Sequence, residues 1–217
     1  MKVLLTGATG MIGGLVLELC LASEKIEQVI SFVRKQSGQV HYKLREVVVE
    51  DFRDFSSHAD LFVDASAAYF CLGAYTGQVS NDMLKLITVD YAVAFARQLS
   101  ISSPGAKFCL LSGAGADRTE KSKTPFALYK GMAENGVAAL SLEFYSFRPG
   151  YIYPVKPRKE PNLAYRMFRY LYPLIRLFGN GLSIRSTDLA EVMFYVGING
   201  TDKQILENAD IIVRKPK

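Results

Sequence analysis

Three glycines near the start of the chain offer the first chemistry. In Val3-Leu4-Leu5-Thr6-Gly7-Ala8-Thr9-Gly10-Met11-Ile12-Gly13 a short apolar run breaks into a Gly-x-x-Gly-x-x-Gly spacing. Val3 to Leu5 suit a buried parallel strand, and from Met11 onward Ile12, Leu15, Val16 and Leu19 recur on one helical face. Between them Gly7 would allow a tight turn, Gly10 would let backbone N–H groups approach a pyrophosphate, and Gly13 would let helix and strand pack closely. The helix start adds unpaired N–H groups and a partial positive charge. The spacing therefore predicts a dinucleotide site that includes Gly7, Thr9, Gly10, Met11, Ile12 and Gly13. An isolated glycine triplet is a weak signal, and its place between a strand and a helix separates it from an ordinary glycine-rich turn.

The end of the second strand selects the dinucleotide. Gln28 to Val33 reads as that strand and runs into Arg34-Lys35. The adenosine ribose of a bound dinucleotide lies here, and an acid would accept hydrogen bonds from the ribose hydroxyls of NAD and repel a 2′-phosphate. Arg34 and Lys35 would instead pair with that phosphate, so NADP is expected ahead of NAD. A solvated basic turn is the plainer alternative. Leu44 to Val49 gives a third strand ending at Glu50-Asp51-Phe52, and Ala67 to Leu72 a fourth that runs into Gly73-Ala74-Tyr75-Thr76-Gly77. Asp51, Phe52, Leu72 and Gly73 are expected beside the cofactor, where small residues let it lie across the sheet edge.

The remaining elements must frame this site. Asn81 to Leu99 reads as a helix, Lys107 to Leu111 as a fifth strand, about Pro125 to Leu140 as a helix, and Leu142 to Phe147 as a sixth strand before Arg148-Pro149-Gly150. Strands alternating with helices predict an α/β doubly wound parallel sheet, Rossmann-like and flanked by helices, with a small C-terminal helical cover. Residues 1–217 are expected to form one domain, with about 151–186 inserted as a lid or substrate cover. Within it Pro161 to Gly179 is basic, aromatic and amphipathic, which fits a lid, core packing or, least of all, membrane contact.

Composition narrows the classes further. Apolar residues make up 49% and charged ones 22% of the 217 residues, as in soluble globular chains. No apolar run reaches the ~20 residues of a spanning helix, and a strand starting at Lys2 leaves no room for a signal peptide, so a cytoplasmic location is expected. The net charge of +5 is concentrated between Pro154 and Arg185, which argues against general nucleic-acid binding. Cys20, Cys71 and Cys109 suit reduced, buried thiols. His41 and His58 lack partners at ligand spacing, and no metal site is expected.

TGATGMIG, the basic end of strand two, the small-residue end of strand four, LLSGAGAD, a lysine-bearing helix and FRPG together resemble an atypical short-chain dehydrogenase/reductase. The chain is similar to the oxidoreductase-like group that contains the Tat-interacting protein, over about residues 1 to 200. The resemblance implies a serine after the fifth strand and a Tyr-x-x-x-Lys pair on the next helix. The tyrosine exchanges a proton with the substrate oxygen, and the lysine holds the nicotinamide ribose and lowers the tyrosine's pKa. It assigns these serine and lysine roles to Ser112 and Lys130, and sets Pro149 beside the nicotinamide. Phe126, however, stands four residues before Lys130, on the same helix face, and a phenyl ring donates no proton. Tyr129 lies about 100° away around the helix and suits packing better than a displaced acid. Tyr75, Tyr151 or Tyr153 could reach the site from loops. The expected function is NADP-dependent oxidation or reduction of a carbonyl or hydroxyl compound by a monomer or homodimer. A non-catalytic NADP(H) sensor acting on a regulatory protein partner is the second reading. An isomerase or nucleotide-sugar epimerase is disfavoured by the missing tyrosine and the short chain after strand six.

Overall fold

The computed structural model describes residues 1–74, 77–156 and 181–215. Seven parallel strands form one sheet in the order β3-β2-β1-β4-β5-β6-β9. They are β1 (Lys2–Thr6), β2 (Gln28–Val33), β3 (Leu44–Val48), β4 (Ala65–Phe70), β5 (Lys107–Leu111), β6 (Glu143–Arg148) and β9 (Ile205–Glu207). The expected doubly wound α/β sheet is present. Its strand order reverses between β1 and β4, where a crevice opens beyond the carboxyl ends of the strands.

Both faces of the sheet are covered, which is why its strands read as unbroken apolar runs. On one face Val3, Leu5, Val29, Tyr69 and Phe147 pack with α1 (Met11–Ala22) and α6 (Ser186–Asn199). On the other, Leu4, Ile30, Phe70 and Phe108 meet α4 (Tyr91–Ser102) and α5 (Pro125–Ala138). Adjacent residues of β1 thus serve opposite cores, as the two-residue side-chain period requires. Phe32, Phe55, Phe62 and Phe95 cluster in the second core with ring centroids 5.0–5.5 Å apart. Edge-to-face pairs of this kind add roughly 0.5–1.5 kcal/mol each beyond burial.

The helix expected from Asn81 to Leu99 is interrupted. It comprises α3 (Asn81–Lys85), capped by Ser80 Oγ accepting from the Met83 N–H at 3.2 Å, then a π-helical turn over Leu86–Asp90, then α4. A short helix, α2 (Ala59–Phe62), precedes β4, and α7 (Asn208–Val213) follows β9. Sequence reading missed β9, a three-residue run too short to show periodicity, and the parallel ribbon of β7 (Tyr151–Tyr153) with β8 (Ser183–Arg185). Pairing in that ribbon brings the two described ends of the expected 151–186 cover side by side. Its Pro161 to Gly179 portion lies outside the described residues, as does Tyr75. No helix among the described residues is long and apolar enough to cross a membrane.

Candidate cofactor and active site

The glycine turn is shaped by contacts that leave no room for side chains. Gly7 has φ +76°, and a Cβ there would lie 2.7 Å from the Cys71 carbonyl group. A Cβ on Gly13 would overlap the Gly7 carbonyl, so α1 packs on the turn backbone to backbone. The Gly10 N–H closes the turn on the Gly7 carbonyl at 2.9 Å, and Gly10 caps α1 with no side-chain hydrogen bond. The first-turn N–H groups of α1 are thereby presented beside exposed Thr9 and Gly10. Ile12 buries its side chain, so only its backbone can serve a ligand, and Met11 is half-buried.

Across the crevice, Cys71 ties β4 to β1 by donating its N–H to Thr6 O at 3.2 Å, followed by half-buried Leu72 and exposed Gly73. Arg34 and Lys35 are exposed past the end of β2, with no hydrogen bond or ion pair to another described residue. Asp51 is engaged locally: Arg53 donates from its backbone and guanidinium at 2.7–2.9 Å, and these hydrogen bonds hold the carboxyl below its usual range. The Phe52 ring turns into the core against Phe55 and Tyr91. Its backbone alone remains at the strand end. Between the glycine turn and the β2–β3 loop lies an open cleft of about 420 Å³.

The nicotinamide half of the expected site centres on a carboxylate that sequence reading passed over. Glu134 on α5 has no exposed surface. Its Oε1 accepts from Ser112 Oγ at 2.6 Å, Ser146 Oγ at 2.7 Å and Arg148 Nε at 2.9 Å, while Oε2 pairs with Arg148 at 2.5 Å. Arg148 also reaches Glu207 at 2.9 Å. Burial pushes the Glu134 carboxyl upward, but the hydrogen bonds from Arg148, Ser112 and Ser146 outweigh it and leave the group below its ordinary value. Glu134 stands four residues past Lys130 among Ala133 and Val137, and a lone acid on a buried helix face was the signal available.

Lys130 is half-buried and donates from Nζ to Leu111 O at 2.8 Å. Burial brings its pKa down to about 8 against the pull of Glu134. Phe126, 39% exposed, places its ring over Gly113, where a Cβ would come within 2.5 Å of Phe126 Cζ. Tyr129 is half-buried. Pro149 O accepts from the Ala114 N–H at 2.9 Å, joining the turns after β5 and β6. Ser112 and Lys130 therefore share the end of β5, but the Ser112 hydroxyl hydrogen is directed to Glu134. Tyr151 and Tyr153 lie half-buried on β7. The three cysteines are free, and no described cluster of acids, histidines and cysteines could hold a metal ion.

A parallel sheet with its glycine turn at the switch point defines a Rossmann-like α/β fold. The solved structures it resembles include Gre2 from Candida albicans in complex with NADPH, at 16% identity and TM-score 0.72, over 95% of this chain and 77% of that one. The Bordetella bronchiseptica enzyme WbmF in complex with NAD+ matches at 14% identity and TM-score 0.70, over 98% and 76%. MoeE5 in complex with UDP-glucose and NAD matches at 16% identity and TM-score 0.68, over 94% and 74%. At these identities the likeness is one of fold. No family model and no curated protein sequence matches the chain.

Proposed function

We propose that the chain binds a nicotinamide dinucleotide, NADP(H) ahead of NAD(H), and acts as an oxidoreductase of the atypical short-chain class on a carbonyl or hydroxyl compound. The observation that carries this reading is the side-chain-free cradle at Gly7 and Gly13 against the uncapped start of α1. TGATGMIG, LLSGAGAD and FRPG, which resemble the group containing the Tat-interacting protein, support the same class. Exposed Arg34 and Lys35 support NADP. The bound nicotinamide would supply or take up the hydride. The first turn of α1 would hold the pyrophosphate, Leu72 and Gly73 would let the chain of the cofactor cross the sheet edge, and Pro149 would shape the backbone beside the ring. With its pKa near 8, Lys130 stays mostly charged at neutral pH and can orient the ribose hydroxyls.

Two observations favour the second reading, a non-catalytic NADP(H)-binding regulator. Phe126 occupies the proton donor's place, and Ser112 spends its hydrogen on Glu134. Titration with NADPH and NADH, followed by assay against a broad panel of aldehydes and ketones, tests both. Binding with turnover supports the oxidoreductase; binding without turnover selects the regulator; binding of neither cofactor overturns both.

A further inference from the structure

We infer that Glu46 is a specificity-determining residue at the adenosine end of the cofactor site: it fixes the Ser37–Gln39 turn opposite the glycine turn, and its charge opposes a 2′-phosphate. The inference rests on the dinucleotide reading above. Glu46 projects from β3 into the cleft of about 420 Å³, whose other walls include Ala8 and Thr9 of the glycine turn and Ser37, Gly38 and Gln39. Its Oε2 accepts the Ser37 N–H at 2.9 Å and its Oε1 accepts the Ser37 hydroxyl at 2.7 Å. The Gln39 N–H donates in turn to Ser37 Oγ at 3.1 Å.

These bonds anchor the middle of an exposed stretch, residues 34–40, to the sheet. They also leave Ser37 with no hydrogen to offer a phosphate. A carboxylate has about four acceptor positions, so two remain open on Glu46, facing ribose hydroxyls or a phosphate with the same negative sign. Arg34 and Lys35 attract the 2′-phosphate from the end of β2 while Glu46 repels it from β3. The preference for NADP(H) is therefore partial, and NAD(H) retains measurable affinity.

Dissociation constants of NADPH, NADH, adenosine 2′,5′-bisphosphate and AMP for the full chain and for Glu46→Gln and Glu46→Ala test this. Glutamine can still hold the turn while losing the charge, its carbonyl accepting the Ser37 N–H and its amide donating to Ser37 Oγ, so NADPH and the bisphosphate should tighten about threefold, with NADH and AMP unchanged. Alanine removes the charge and also releases the turn, so both cofactors should weaken while their ratio still shifts toward NADPH. An NADPH-to-NADH ratio in Glu46→Gln equal to the wild-type ratio overturns the role of Glu46 and leaves the dinucleotide reading standing. If the wild type binds neither cofactor, both fall. Should Glu46→Gln fail to fold, Ser37→Ala reads the same effect with opposite sign: it frees a carboxylate oxygen and should lower the ratio, and an unchanged ratio overturns the inference.

Discussion

Arg34, exposed and without a hydrogen-bond or ion-pair partner among the described residues, would contribute a charge-assisted hydrogen bond to a phosphate under the proposed reading. Such bonds are worth roughly 1.5–3 kcal/mol, about ten- to a hundredfold in affinity. Arg34→Ala should therefore erase most of the preference for NADPH while barely changing NADH, as fluorescence titration would show. Equal wild-type affinities for the two cofactors would count against it. Phe126 poses the complementary question, since tyrosine adds one oxygen to nearly the same shape. The ring is partly exposed, one helical turn from Lys130. Phe126→Tyr should fold normally and raise or create NADPH-dependent carbonyl reduction, followed at the NADPH absorbance. A folded, NADPH-binding variant with no gain would show that the missing hydroxyl is not what limits the site.

Elements decide how closely these groups approach. The β1–α1 turn works because Gly13 lets the helix rest on the Gly7 carbonyl, which cannot move without shifting β1. Gly13→Ala should cost about 1–3 kcal/mol through this overlap and weaken dinucleotide binding in parallel. Urea unfolding and NADPH titration would report the two losses, and an alanine variant matching the wild type in both would rule out close packing as the reason for the glycine. Periodicity revealed the strand–turn–helix unit because each part obeys a local rule. The π-turn at Leu86–Asp90 and the β7–β8 ribbon escaped, since the first is an adjustment inside an apolar helix pattern and the second depends on pairing between distant segments.

Over the whole molecule, Glu134 joins α5 to the ends of β5 and β6, and Arg148 extends the link to Glu207 on β9. Removing the carboxylate leaves Arg148, whose side chain is 14% exposed, with Glu207 as its remaining ion-pair partner and takes the acceptor from Ser112 and Ser146, so Glu134→Ala should destabilise the fold by about 3 kcal/mol. The pH dependence has a defined sign. Glu134 is held below its ordinary 4.5, so its contribution is fully present above that value and lost as pH falls through the folded-state pKa. Lys130 has the same sign in a different window: its drop from 10.5 to about 8 means that the folded chain binds fewer protons over that interval, and stability should climb with pH across it. Denaturant melts between pH 3 and pH 10 would check both, with Glu134→Gln flattening the acid limb and, because the carboxylate no longer pulls the Lys130 pKa upward, extending the alkaline rise to lower pH. An acid limb unchanged in Glu134→Gln would assign it to other carboxylates.

The sequence by itself determined the alternation of buried strands and helices, the glycine turn at the head of α1 and the basic end of β2, because apolar period and glycine spacing act within a few residues. It also showed Phe126 at the i position before Lys130, since helix phase is local. Only the tertiary structure decided that the Ser112 hydrogen goes to Glu134, that the Phe52 ring packs into the aromatic core, and that Glu46 holds Ser37. Each of those depends on side chains meeting across elements far apart in the chain, and strand order and helix packing, rather than spacing, bring such partners within hydrogen-bond or ring-contact distance.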